Sequence, residues 1–392
     1  MADGSGHSLF VVEETVPGTT PTNPALIQVR NTGTTLALNK DSLQSEEIRD
    51  DRQISDFRLG ANQVAGDIPF ELSYGSFDLL LEGALLSDPW APIADTTVIS
   101  IDSALGTFTR STGDFLADGF LAGQTIISSG YVDSNNNGRF TIDSLTDLVL
   151  TVSPADGQTQ TTEAGGGDEQ ILTANQIIKA GKTRKSLSFI RYFSDVLPAD
   201  KPYHIFTGNE LNQLQLTIAA NTMVTGSFSV VGRGQTLAND LTGLGTPTYP
   251  AVSTTKPLDS FTGVLKEGGT TIAVITEVSL TLQNGIEPKF VVGSKDSIAP
   301  SIGRSNLTGQ ITAFFEDSTL LEKFINETES DIEFTLPDAA GNQQTYRIPR
   351  VIYTGGQPDV SGEGPVTLAM PFQAVLDATQ ATNIVIERLS AA

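Results

Sequence analysis

The 392-residue chain has no cysteine, one tryptophan, three methionines and two histidines. Without cysteine there is no disulfide and no thiolate metal site, a usage that fits folding in a reducing cytoplasm. A Ser-His-Asp triad would have to use His204, in the strand-like run Tyr203-His-Ile, and no Gly-x-Ser-x-Gly elbow accompanies it. No apolar run reaches the ~18 residues that span a membrane, so no membrane partner is expected. The first residues, Met1 to His7, lack the basic and apolar regions of a signal peptide. Basic residues are scarce as well: 23 Lys and Arg stand against 46 Asp and Glu, a formal charge of -23. A conventional nucleic-acid binder needs the opposite balance. Such a surplus repels DNA, and it also keeps a protein soluble.

Other site chemistries are equally thin. Trp90 and seven tyrosines give few stacking platforms for sugars, and no glycosidase pair stands out among the carboxylates. Gly355-Gly and Gly362-Glu-Gly364 lack the strand-to-helix context and the lysine of a phosphate loop. Asp133-Ser-Asn135-Asn-Asn137-Gly138 imitates the start of a calcium loop, but the position that should hold a bidentate Glu is Ser144. Asn-Gly between β runs reads as a tight hairpin instead. The expectation is a non-enzyme with no catalytic, cofactor-binding or metal-ligating residues.

What the chain does have is glycine, 37 of them, with abundant Thr, Ser, Asn and Val and only 18% charged residues. That is the composition of strands and turns. It also repeats itself. Leu36-Ala-Leu38, a polar stretch, Gly60 to Gly66, Ile68 and then Phe77 to Leu81 return as Leu280-Thr-Leu282, a polar stretch, Gly303 to Gly309, Ile311 and then Leu320 to Phe324. A duplicated module without catalytic residues points to a role in shape or assembly.

Each copy is expected to carry a long polar loop, 39–60 in the first and 283–303 in the second. Ordered loops of that length are often functional. Their charged residues are candidate contacts to a neighbouring subunit: Glu46, Glu47, Arg49, Asp50, Asp51, Arg52, Asp56 and Arg58, then Lys289, Lys295 and Asp296. Each copy also predicts one short amphipathic helix packed on the sheet. Ser76 would cap Phe77, Leu80, Leu81 and Ala84, and Ser318 would precede Leu321, Phe324 and Ile325. Residues 92–183 differ in texture. Their short β runs predict a small all-β domain inserted into the first module, ending in a flexible Gly165-Gly-Gly connector. The division is then 1–91 and 184–235 for the first module, 92–183 for the insert, 236–258 for a linker and 259–392 for the second module.

Ser45-Glu-Glu-Ile-Arg-Asp-Asp-Arg-Gln-Ile54, Glu71-Leu-Ser-Tyr-Gly75 and Leu79 to Glu82 resemble the tail tube (major tail) proteins of long-tailed, siphovirus-type bacteriophages. Phe314 to Ser318, Ile348-Pro-Arg-Val351, Val360-Ser-Gly-Glu363 and Met370-Pro-Phe-Gln-Ala374 resemble the second half of the same family. The resemblance implies a mainly β fold: two tandem β-sandwich or partial-barrel modules, each with a flanking helix, plus the insert. It implies a virion protein assembled in the host cytoplasm, self-assembling into stacked rings that conduct DNA without binding it specifically. Six modules per ring would make a trimer with pseudo-sixfold symmetry. Tape-measure, tail-terminator and distal tail proteins would be its partners. The duplication departs from single-module relatives, so their hexamer geometry carries over by analogy. The rival expectation is a β-sandwich adhesin or virion decoration protein that binds a surface ligand through the insert.

Overall fold

The computed structural model describes residues 3–154, 158–360 and 362–391, so Ser361 of the stretch Val360 to Glu363 lies outside them. The first module opens with strands β1 (His7–Glu14), β2 (Ala37–Gln44) and β3 (Phe57–Glu71), then helix α1 (Asp78–Leu85). After the middle segment, which ends in β4 (Gln170–Lys179), come β5 (Ser186–Phe193), β6 (Tyr203–Ala219), β7 (Thr225–Gly232) and β8 (Gly234–Ala238). The second module supplies β9 (Ile275–Gln283), β10 (Asn306–Phe314), α2 (Thr319–Ile325), β11 (Ser330–Pro337) and β12 (Gln343–Tyr353). It closes with β13 (Pro358–Asp359), β14 (Thr367–Ala374) and β15 (Val385–Leu389). The protein is mainly β, as its composition predicts.

The strands form because apolar and polar residues alternate along them. On β3 the buried residues are Val64, Ile68 and Phe70, while Ala65, Asp67 and Glu71 are exposed. Seven strands lie side by side in the antiparallel order β2, β3, β7, β6, β9, β10, β14. One hydrophobic cluster underlies them all. It holds Ile68, Phe228 and Leu214 from the first module and Leu280, Ile311 and Phe372 from the second.

The register of the first pair of strands recurs in the second half of the chain. Leu38 pairs with Val64 and Leu282 with Leu307, which sets Leu36 opposite Gly66 just as Leu280 sits opposite Gly309. In both modules a phenylalanine ring covers a glycine on the neighbouring strand, but the two are swapped. Phe70 on β3 pairs with Gly226 on β7, whereas Gly309 on β10 pairs with Phe372 on β14.

The two helices differ. On α1, Phe77, Leu80, Leu81 and Ala84 are all buried. The helix begins after Phe77 rather than Ser76, because the Ser76 hydroxyl is engaged by Ser73 (2.7 Å) and Arg30 (3.4 Å). On α2, Leu320 and Phe324 pack against the core and Leu321 is half-buried, but Ile325 is 63% exposed. Ile325 is therefore not a core residue. The inward position goes instead to Lys323, whose ammonium meets the buried Glu267 carboxylate at 2.6 and 2.7 Å.

The middle segment has its own core, built around Ile99, Phe108, Phe115, Phe140 and Leu150. It is not simply hung from the first module. β4 also pairs with β15 of the second, from Gln176–Arg388 to Lys179–Val385. The buried Glu387 carboxylate fastens that contact, accepting from Gln124 Nε2 (3.0 Å) and lying 3.1 Å from Arg347. The Gly165-Gly-Gly stretch is pinned, since Glu169 accepts the amides of Gly166 and Gly167. The Asn-Gly signal overestimates the tightness of its turn. The connection runs through residues 130–137 and contains a 3₁₀ turn at Ser134–Asn136, where Asp133 accepts the Asn135 amide at 2.9 Å. The 236–258 linker is packed too: β8 pairs with β6, and Leu241 is buried beside Leu26 and Ile190.

A Cβ added at Gly309 would lie 2.5 Å from both the Phe372 ring and the Ser279 carbonyl. Gly309→Ala is expected to destabilise the fold by about 1–3 kcal/mol. Denaturant unfolding measures this, and an unchanged midpoint would contradict the packing described.

Candidate assembly surface

Residues 39–60 are not one loop. β2 and β3 continue as a hairpin past the body of the sheet, and only residues 45–56 form the tip. The outer part of this arm, residues 39–59, is exposed on both faces apart from the half-buried Ser45, so its sequence carries no alternation and reads as loop. From Phe57 to Gln63 the arm extends roughly 20 Å. The tip closes with the Ser45 amide on the Asp56 carbonyl (3.0 Å). Arg49 makes a forked bond to Asp51 at 3.1 and 2.8 Å, holding that carboxyl below its usual range. Arg58 pairs with Asp56 at 2.9 Å. Arg52 has a left-handed backbone, and Glu46, Glu47 and Asp50 are exposed. These exposed pairs shape the tip and add little stability. Its apolar side chains are more telling: Ile48 is 100% exposed and Ile54 62%, with Phe57 and Leu59 also exposed on the stem. Four exposed apolar residues on one projecting hairpin are more than the single scattered ones of an ordinary solvated surface.

The second polar stretch behaves differently. Its short strands Glu287–Lys289 and Ile298–Ser301 form a smaller hairpin that leans on the first module. Asn62 of the arm stem donates from its amide to the Lys295 carbonyl (2.7 Å) and from its side chain to Asp296 (2.6 Å). Arg233 donates to the Ser297 carbonyl at 2.7 Å. Of the second-loop candidates, Asp296 meets its own chain through its carboxylate and Lys295 only through its backbone carbonyl, and Lys289, Lys295 and Asp296 are all exposed. Asn62 and Arg233 carry no signal in the sequence, because isolated polar residues on strands look like any solvated face.

The two modules meet where β6 pairs with β9, from Gln213–Gln283 to Ala219–Glu277. The Asn284 side chain closes one end of this join, donating to the carbonyls of Ala84 (2.8 Å) and Leu211 (3.0 Å). The face of the sheet turned away from the core is mostly polar, with Pro69, Val231, Ala369, Pro371 and the exposed Phe314 among its non-polar residues. On β6 it presents Gln213, Gln215 and Thr217, on β9 Glu277, Ser279, Thr281 and Gln283, and on β10 Asn306, Thr308, Gln310 and Thr312. The same face of β3 from Ala65, of β7 and of β14 adds Asp67, Glu71, serines, threonines and Gln373, and across all six strands it contains no lysine or arginine. Its side chains bond across strands, as Gln283 does to Gln213 (3.2 Å) and Gln373 to Asn306 (3.1 Å).

A family model described as phage tail tube protein matches residues 4–374. The chain belongs to this family. It is a structural component of a bacteriophage tail, where family membership carries homo-oligomeric assembly alongside other tail proteins. No curated protein matches this tail tube protein. Among solved structures, the phage phi92 endosialidase is similar at 9% identity over 97% of this chain. The chain spans 58% of that one's length, and a TM-score of 0.18 is too low to carry an argument.

Both histidines of this tail tube protein fall in one cluster. His7 and His204 flank the Phe193 ring, each at 5.1 Å, and Arg191 donates to His7 Nε2 at 3.2 Å. Burial, and then the Arg191 charge, hold both imidazoles below their ordinary range. Because the folded values lie below the unfolded ones, the unfolded chain takes up protons first on acidification. Stability is therefore expected to fall as the pH drops below about 6.5. Melting curves between pH 7.5 and 5.5 measure the slope, which His204→Gln should flatten. An identical slope in the variant would contradict the assignment.

Proposed function

We propose that this tail tube protein is a non-enzymatic virion subunit that closes into rings, and that the rings stack into a tube through which DNA passes. The observation that carries the reading is the cation-free face running unbroken through both modules. Lys and Arg are the groups that hold phosphates, so a lumen without them offers DNA no trap. Glu277, Asp67 and Glu71 add repulsion. On this reading the chain is two tube modules, 1–91 with 184–235 and 259–392. Residues 92–183 project outward, a division supported by their separate core.

Stacking follows from polarity along the strands. The arm leaves the sheet at the end marked by Gln213 and Gln283. A groove of about 370 Å³ lies at the other end, lined by Ile218, Phe261, Val264 and Ile275 together with Thr271, Thr276 and Glu277. Complementary surfaces at opposite ends make a head-to-tail contact, which propagates into a filament. The arm residues Glu46 to Arg58 would then bridge stacked rings, with Ile48 and Ile54 supplying the apolar contact. The second hairpin, with Lys289, would brace the arm. With six modules per ring the assembly is a trimer of pseudo-sixfold symmetry. It forms in the host cytoplasm and meets tape-measure, tail-terminator and distal tail proteins.

Electron microscopy of the purified chain across a concentration series, with sedimentation on the same samples, tests this reading. Rings or hollow tubes of uniform width are expected, and monomers at every concentration would contradict it. Deleting Ser42 to Arg58 should give rings that do not stack. Tubes of normal length from that variant would remove the arm from the account.

A further inference from the structure

We propose that copies of this chain join through a seam in which residues 355–360 of one copy pair, antiparallel, with residues 34–39 of the next. The seam repeats between chains the β6–β9 join made within one. It deepens the ring reading given above and rests on it.

The duplication fixes the register. Leu36 in the first module is the counterpart of Leu280 in the second, because each lies opposite its module's glycine, Gly66 or Gly309. One strand further on, Gly66 pairs with Val230 and Gly309 with Phe372, which makes those two counterparts. Leu211 pairs with Val230, and Tyr353 with Phe372. Beyond the irregularity that follows each, Leu216 pairs with Gly226 and Pro358 with Leu368, and the same steps make Leu216 and Pro358 counterparts. Within the chain, Leu216 pairs with Leu280 and Gln215 with Thr281. The corresponding pairs between copies are Pro358 with Leu36 and Gln357 with Ala37. Both edges are open for this: among the described residues, no strand pairs along the outer side of 355–360 or of 34–39. Unpaired edges are hazards unless assembly uses them.

A chemical match supports the register. In the internal join the amide of Asn284 donates to Asn212 (2.8 Å) and that of Ala220 to Thr276 (2.8 Å), so even-numbered residues exchange the hydrogen bonds. Leu280 with Leu216 is such a pair. At the counterpart, Pro358 has no N–H, so Leu36 would lose a donor to its carbonyl. That carbonyl already accepts from Arg191 Nη1 at 2.9 Å. The Leu36 amide, now on Thr34 Oγ1 at 3.2 Å, would exchange that local partner for the Pro358 carbonyl. A proline on an open edge also guards against pairing in other registers. The faces agree too: Ala37 and Gln357 are exposed, as Gln215 is on the cation-free side. A seam between different surfaces of identical chains closes into a ring when its rotation divides a full turn.

The absence of cysteine makes the test clean. Ala37 and Gln357 form a non-hydrogen-bonded pair in the proposed seam, with Cα atoms about 4.5 Å apart, within disulfide range. The double variant Ala37→Cys/Gln357→Cys, oxidised after assembly, should give a non-reducing gel ladder of one, two and three chains that stops at three and collapses with reductant. Ala37→Cys/Asp359→Cys, whose Cα atoms would be about 7–8 Å apart, should cross-link far less. Rings visible by microscopy without the 37–357 bond would overturn the seam, as would equal cross-linking in the control or a ladder passing three. Wild-type chain that forms neither rings nor tubes would instead overturn the ring reading, and the seam with it.

Discussion

The pairing of β6 with β9 is the constraint on which the rest of the structure depends. It sets a strand of each module side by side in one ladder, so two copies of a module share one sheet and one core. Leu214 and Leu216 from one side and Leu280 and Leu282 from the other sit in the same buried cluster. The join also gives the sheet a direction, with the arm at one end and the groove beside Ile218 and Ile275 at the other. It uses up one edge of each module and leaves the other exposed. A join made within one covalent chain costs no association entropy, which is one physical advantage of carrying two modules in one chain rather than assembling them from separate chains.

Scarce cations are placed to keep the sheet face bare. Lys185 is buried against Glu82 at 2.9 Å, Arg110 against Asp95 at 2.8 Å, and Lys323 against Glu267. Each sits where removing one partner would strand a buried charge, so these pairs hold their geometry even if they add little net stability. Other basic residues decorate the arm, where Arg49 at the tip and Arg58 on the stem meet their own carboxylates. The surplus acid that dominates the composition therefore has no compensating lysine or arginine on the outward face of β3 from Ala65, β7, β6, β9, β10 and β14.

Much of this was legible in the sequence, and the limits have physical causes. The repeat was readable because Gly66 and Gly309 do the same job: a Cβ on either would lie 2.5 Å from the backbone of the adjacent strand. The apolar face of α1 was readable because a buried helix must keep its period. The arm was not, since a hairpin exposed on both faces has no alternation to show. Ile325 was misplaced because the Lys323–Glu267 ion pair, invisible to a hydrophobic pattern, takes the inward position on α2. The packing of the second hairpin on Asn62 and Arg233, and the pairing of β4 with β15, join residues far apart in the chain. Local sequence carries no trace of either.

The most direct test of the central claim is a cryo-electron microscopy reconstruction of assembled tubes in which strands and large side chains can be traced. The account predicts three chains per ring, a sheet that continues from chain to chain, and Gln215, Thr281 and Gln310 facing the lumen. A map with that face turned outward, or with Lys and Arg lining the channel, would contradict it.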